Sequence, residues 1–226
     1  MTAHEAKDFQ RIYSTRFATN LAYRERVWSI LVRDFFQQYV GSSDRILDLG
    51  AGYGEFIRHI ECADKFAMDL NPDSKQRVGP NVMFFEQDCA ARWPLSDAAL
   101  NVVFTSNFFE HLPDKSALGR TLDEILRCLA PGGRLIAMGP NIKFLPGSYW
   151  DFWDHYIPLT ELSLTEALVT RGFSMTRVED RFLPYTMATG PSYPLVFLRA
   201  YLRLRPVWKI FGRQFLIVAS KAQSVE

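Results

Sequence analysis

The chain has 226 residues, 48% hydrophobic and 23% charged, which suits one domain with a core of its own. Its 26 lysines and arginines against 25 aspartates and glutamates leave a net charge of +1, which argues against a nucleic-acid surface, where a basic excess is the rule. Cys62, Cys89 and Cys128 have no paired spacing, which speaks against a disulfide framework or zinc site, and with a polar start and no apolar run of the ~20 residues that span a bilayer the expectation is a cytoplasmic protein.

In chain order, apolar positions at helical spacing over 5–40, clearest in "YRERVWSILVRDFFQQYV", predict a helix that "GSSD" breaks. A strand follows at 45–49. Further strands are predicted at 65–70, 81–88, 100–107 and 133–141, alternating with helical stretches. The last of these helices covers 114–130 and stops at "PGG". Such alternation predicts an α/β fold with a parallel sheet covered on both faces. Beyond it, "SLTE" (163–166) reads as a capping box, Ser163 with Glu166, opening a helix that closes at Gly172. "FSMTRVEDRF" and "RQFLIVASK" read as two more strands. Between them lies a long apolar and basic insertion, about 191–212. The whole reads as a single domain: residues 1–40 a helical lid, 41–175 a ligand-binding core, 176–226 the C-terminal strands with their insertion.

The first strand runs into "RILDLGAGYGEFIRHI" (45–60), which places Gly50, Gly52 and Gly54 just after Asp48. Glycine costs backbone entropy, so such a cluster marks a turn that bulkier residues cannot make. Strand, glycine turn and helix is a common device for nucleotide-like ligands at the carboxyl end of a sheet. The dinucleotide pattern G-x-G-x-x-G fails here, because its third glycine position is Glu55. Asp69 ends the second strand, where an acid can accept from both ribose hydroxyls; Asp88 ends the third, where it can accept from an adenine amine; Asn107 and Glu110 follow the fourth. Plainer readings stand beside these: a connecting turn, a helix cap at Asp69, a strand end at Asp88.

Five stretches in order and spacing, "LDLGAGYGEF", "AMDLNPD", "FFEQDCA", "SNFFEHL" and "LAPGGRLIAMGPN", resemble the motifs of class I S-adenosylmethionine-dependent methyltransferases over about residues 40–175. The resemblance implies a Rossmann-like seven-stranded sheet in the order 3-2-1-4-5-7-6, with strand seven antiparallel and helices on both faces. It implies S-adenosylmethionine as cofactor, leaving S-adenosylhomocysteine. Asp48, Gly50, Gly52, Gly54 and Asn107 then surround its methionine part. Asp69 with Leu70 holds the ribose, and Asp88 with Cys89 the adenine. Apart from the resemblance, "YSTRF" (13–17) reads as a lid over the cofactor, with Tyr13 and Arg16 meeting its carboxylate, or equally as a surface helix on the sheet edge.

Methyl transfer demands alignment first and a base only where the acceptor carries a proton. His111 in "SNFFEHL" and His155 in "SYWDFWDHYIPL" are the candidates, each with a structural reading beside it. Asn107 stands where metal-binding relatives of this kind carry a first acid, so no metal is expected. Phe144, Tyr149, Trp150, Phe152, Trp153 and Tyr156 read as an aromatic wall for a flat or sugar-like acceptor, or as lid packing. The segment 194–211 reads as packing against the domain or a dimer partner, or as a peripheral membrane contact. No N-P-P-Y-type run follows strand four, which discounts amide and adenine acceptors. The expectation is therefore O-methylation of a small molecule, a sugar, lipid-linked or natural-product intermediate. Two alternatives remain: a non-catalytic module that kept the fold, and an NAD-dependent oxidoreductase.

Overall fold

A computed structural model describes residues 21–185 and 193–223. Its centre is one seven-stranded sheet, built outward from β1 (Arg45–Leu49). On one side β1 pairs in parallel with β2 (Asp64–Asp69), which pairs in parallel with β3 (Val82–Glu86). On the other side lie β4 (Leu100–Ser106) and β5 (Leu129–Pro140), again parallel. β7 (Gln214–Lys221) runs antiparallel to β5 and to β6 (Phe173–Glu179). The order is β3-β2-β1-β4-β5-β7-β6, as the resemblance implied. It is not the six-strand order of dinucleotide-binding oxidoreductases.

The inner strands are apolar on both faces because both are covered. Alternate residues split accordingly. Ile46, Ala67, Val102, Phe104 and Ile136 join a cluster with α1 (Leu21–Asp34), α2 (Glu55–His59), and the two insertion helices α6 (Leu195–Arg203) and α7 (Arg205–Phe211). Leu47, Met68, Val103, Leu135 and Ile217 face the opposite cluster, formed with α4 (Lys115–Cys128) and α5 (Glu161–Val169). A short α3 (Ser74–Arg77) follows β2.

Four boundaries differ from the sequence reading. The first helix ends at Asp34, and Phe36–Tyr39 continues as a 3-10 turn. Phe35 stands between the two, and it and Phe36 are both buried in the core. β5 begins at Leu129, ahead of "PGG": Leu129 pairs with Leu100, and the register resumes at Val102 with Arg134, so the glycines form a bulge inside the strand. α5 starts at Glu161, and its capping box is Thr160 with Ser163: each side chain takes the other's backbone N–H at 3.0 Å. Ser163 and Glu166 therefore lie inside the helix, one turn past its start. Asp88 does not end β3; it stands two residues beyond Glu86.

The described part of the insertion forms the two helices α6 and α7. Pro206 opens α7 after Leu204, where its missing N–H costs nothing. Leu202 and Trp208 anchor the pair against Phe35 and Phe182. Cys62, Cys89 and Cys128 are all free thiols. Among the described residues, no helix is long and apolar enough to cross a membrane.

Candidate active site

The glycine turn leaves β1 at the carboxyl edge of the sheet. Gly50, Gly52 and Gly54 all adopt left-handed backbone, with φ of +71°, +52° and +70°, which L side chains rarely tolerate. Close approach adds a second reason at two of them. A Cβ on Gly50 would fall 2.3 Å from the Phe108 ring, and one on Gly54 would fall 2.8 Å from the backbone of Val78. Arg58 braces the turn from behind: its guanidinium donates to the carbonyls of Tyr53 and Arg77 and pairs with Glu25 of α1.

Asp69, the last residue of β2, is locked to that turn. Its Oδ2 accepts the Gly52 N–H at 2.7 Å and its Oδ1 accepts the Asn71 N–H at 2.8 Å. Burial raises its pKa, while the Asn71 and Gly52 amides work the other way. One lone pair on each oxygen is thereby fixed and one remains, which suits two neighbouring hydroxyls. Leu70 follows on the same edge. Asp48, fully inside the sheet, has its pKa pushed up to about 8 by burial first, then by the charges of Asp69 and Glu55.

Across the turn, Asn107 follows β4 in left-handed backbone, φ +50°, a strained position for a residue with a side chain. Its N–H donates to Met138 and its amide nitrogen to Ser106 Oγ. Its buried Oδ1 has no hydrogen-bond partner among the described residues. An orphaned buried acceptor after β4, an ionisable carboxyl near the end of β1 and a carboxylate set for a diol at the end of β2 fit an amino-acid nucleoside such as S-adenosylmethionine.

The adenine side is less uniform. Asp88 is exposed, with Oδ1 accepting the Ala90 N–H at 2.9 Å. The Cys89 thiol turns into the core against the Thr121 hydroxyl at 3.3 Å, and burial lifts its pKa to about 12. Its carbonyl accepts from the Trp93 indole. Only the polypeptide at Cys89, not its sulfur, can line an adenine pocket. Tyr13 and Arg16 lie outside the described residues, and so does the first half of the predicted lid.

The two histidines meet. The backbone after β5 is stitched to the turn after β4, with Tyr156 N–H and Ile157 N–H both donating to the Glu110 carbonyl. That brings the rings of His111 and His155 to 5.0 Å between centroids. His111 Nδ1 lies 2.8 Å from the Asp154 carbonyl and 3.2 Å from its carboxylate. A carbonyl only accepts, so Nδ1 carries a hydrogen, and in the neutral ring the lone pair is on Nε2, 3.9 Å from Glu110 Oε1. Burial opposes the charged ring, yet the Asp154 and Glu110 carboxylates outweigh it and raise the His111 pKa. Glu110, His111 and His155 offer ligand atoms within 4.8 Å of one another, a grouping able to hold a metal ion that Asn107 alone gave no reason to expect.

The aromatic stretch divides. Tyr149 is buried and its hydroxyl donates to the Ile157 carbonyl; burial raises its pKa. Phe152 stacks on His155 at 4.9 Å, and Arg181 lies over Phe144 at 3.8 Å. Trp150, Trp153 and Tyr156 remain exposed. Asp154 and Phe108 are the residues that reading the sequence did not single out. The signals were there: an acid beside His155, and an aromatic two residues after β4 ends, next to Asn107.

With this geometry in place, residues 21–178 match the family model for a methyltransferase domain. The chain is 30% identical over 101 residues to "Methyltransferase str2" of Strobilurus tenacellus, covering 43% of this chain and 36% of that protein. It is 25% identical over 179 residues to the demethylmenaquinone methyltransferase of Symbiobacterium thermophilum, covering 70% and 69%. It thus spans about a third of the first and two thirds of the second. The fold is shared with a chain of the complex between the Haloferax volcanii Trm112 methyltransferase activator and a methyltransferase, at a TM-score of 0.68 and 18% identity over 94% of this chain and 97% of that one.

Proposed function

The chain belongs to the methyltransferase-domain family of class I S-adenosylmethionine-dependent enzymes, and from that premise we propose that it methylates an oxygen of a small-molecule acceptor. One observation carries the reading of the cofactor site: the Asp69 carboxylate, held by Gly52 and Asn71 amides on the edge where β1 and β2 end. Asp48 and the Asn107 carbonyl oxygen would take the ammonium, Asp69 the ribose hydroxyls, and Asp88 with the backbone of Cys89 the adenine. When bound, the cofactor supplies an electrophilic methyl group.

The chain's own work is alignment and proton removal. Holding acceptor and methyl donor in line is worth about 7–11 kcal/mol in favourable intramolecular cases. An alcohol or phenol must also lose its proton, and His111 Nε2 is the acceptor for it, with Asp154 fixing the ring through Nδ1. A histidine held in place by Asp154 supports an oxygen acceptor over an amine that is already neutral. The kept polar groups of both half-sites disfavour a non-catalytic module, and the strand order disfavours an oxidoreductase.

The test is calorimetry with S-adenosylhomocysteine, followed by labelled S-adenosylmethionine and small-molecule extracts. Binding that is lost in Asp69→Ala, and a labelled methyl ether, are the expected results. NAD binding in its place would refute the reading. A labelled amine would move the acceptor atom to nitrogen. A second reading of the Glu110–His111–His155 group, as a cation site, is favoured by its donor spacing and separated by a chelator.

A further inference from the structure

The insertion between β6 and β7 is apolar on its outer side as well as its inner one. Leu195, Leu198, Tyr201 and Leu202 face the core. Val196, Phe197, Leu204, Ile210 and Phe211 point away from it, each more than half exposed. An ordinary surface helix turns a polar stripe to water. The polar residues on this outer side are basic instead. From 181 to 225 the sequence has no aspartate or glutamate and seven lysines and arginines, although the whole chain is close to neutral. Two of these cations are matched by carboxylates of other elements: Arg199 by Asp34 of α1 at 3.3 Å, and Lys209 by Asp180. Arg203 and Arg205 have no carboxylate partner among the described residues; Arg205 lies 5.8 Å from the Trp208 ring centre.

The position of this surface matters as much as its composition. β6 runs with the first five strands and β7 against them, so the chain leaves and re-enters the sheet on the edge that carries the glycine turn and the histidines. The loop after β5 adjoins it, through Arg181 over Phe144 and the Phe152–Tyr185 ring contact. That loop exposes Trp150 and Tyr156, and Trp153 is 87% exposed. Tryptophan and tyrosine with one apolar and one polar end favour the boundary between lipid and water.

We infer that this rim, α6–α7 with the aromatic loop beside it, docks the protein on an anionic lipid surface. Large exposed apolar side chains with Arg203 and Arg205 among them match acyl chains below phosphate headgroups. A second copy of the chain is a poorer occupant, because a two-fold contact would set like charges against each other. Docking on this rim turns the active-site edge toward the membrane and suits an acceptor carried on a lipid. That last step rests on the function proposed above; the docking does not.

The test uses the full chain and co-sedimentation with vesicles of phosphatidylcholine alone or mixed with phosphatidylglycerol. Binding to the mixed vesicles that weakens with added salt, and little to the neutral ones, is expected. Phe197→Ser with Phe211→Ser should weaken it about tenfold or more. Arg203→Glu with Arg205→Glu should remove the preference for anionic vesicles. Both variants should keep S-adenosylhomocysteine affinity, which reports an intact fold and a working cofactor site independently of docking. No sedimentation with either vesicle overturns the proposal. So does a dimer, seen by sedimentation velocity, that the phenylalanine variant dissolves, since the rim would then be covered by a second copy.

Discussion

The two halves of the active-site edge are built differently. The β1–β3 half is short and local: a five-residue turn with three left-handed glycines, tied to Asp69 seventeen residues from Gly52. The β4–β5 half is assembled from loops, and its central pair, His111 and Asp154, lies forty-three residues apart in the chain. A tight turn dictates residue type through backbone dihedrals and close contacts. A loop-built site leaves residue type to chemistry and reach. The first half should therefore break by losing affinity or stability, the second by losing rate.

The largest effect belongs to the loop-built half. His111→Asn should lower kcat by about 10²–10⁴, the usual worth of general-base catalysis, with cofactor affinity unchanged in calorimetry. A parallel loss of affinity would merge the two halves. Next, Asp69→Ala removes charge-assisted hydrogen bonds of about 1.5–3 kcal/mol each, so S-adenosylhomocysteine should bind about a hundredfold more weakly or worse. Third, Gly54→Ala combines left-handed backbone with a 2.8 Å approach to Val78, and should cost about 1–3 kcal/mol of stability in denaturant titrations. Wild-type stability there would show that the turn yields.

The smaller effects concern protons. The ordinary pKa of Asp48 is 3.8 and its folded value about 8, so the folded state holds the proton longer than the unfolded chain. Stability from this group is complete below pH 3.8 and is lost as the pH rises toward 8; Asp48→Asn should flatten that slope in denaturation measured at several pH values. Asp154→Asn takes away a carboxylate that raises the His111 pKa, so the acid limb of the rate profile should move to lower pH. A chelator should leave the rate unchanged if the histidines serve only as bases; loss restored by a divalent cation would assign the metal role instead.

The same contrast decides what the sequence could disclose. Asp69, the three glycines and Asn107 were readable because each sits where a strand ends, and strand ends follow from short apolar runs. That the Cys89 sulfur faces Thr121 depends on the turn after β3, which no local pattern announces. The capping box was placed one turn late because "TELS" and "SLTE" overlap, and only the Thr160–Ser163 bonds distinguish them. His111 and His155 were each visible, but their meeting depends on the Glu110 carbonyl accepting from Tyr156 and Ile157, a tertiary fact. The split of the aromatic stretch into buried Tyr149 and exposed Trp153 is tertiary in the same way.

Because the last strand returns against its neighbours, the segment between β6 and β7 begins and ends on one rim. Extra length there adds only slowly to the entropy of closing it. It is a cassette: residues 181–213 can be lengthened, traded or recombined with no strand changing its register, so new acceptors can evolve at one border while the nucleoside grip stays as it is.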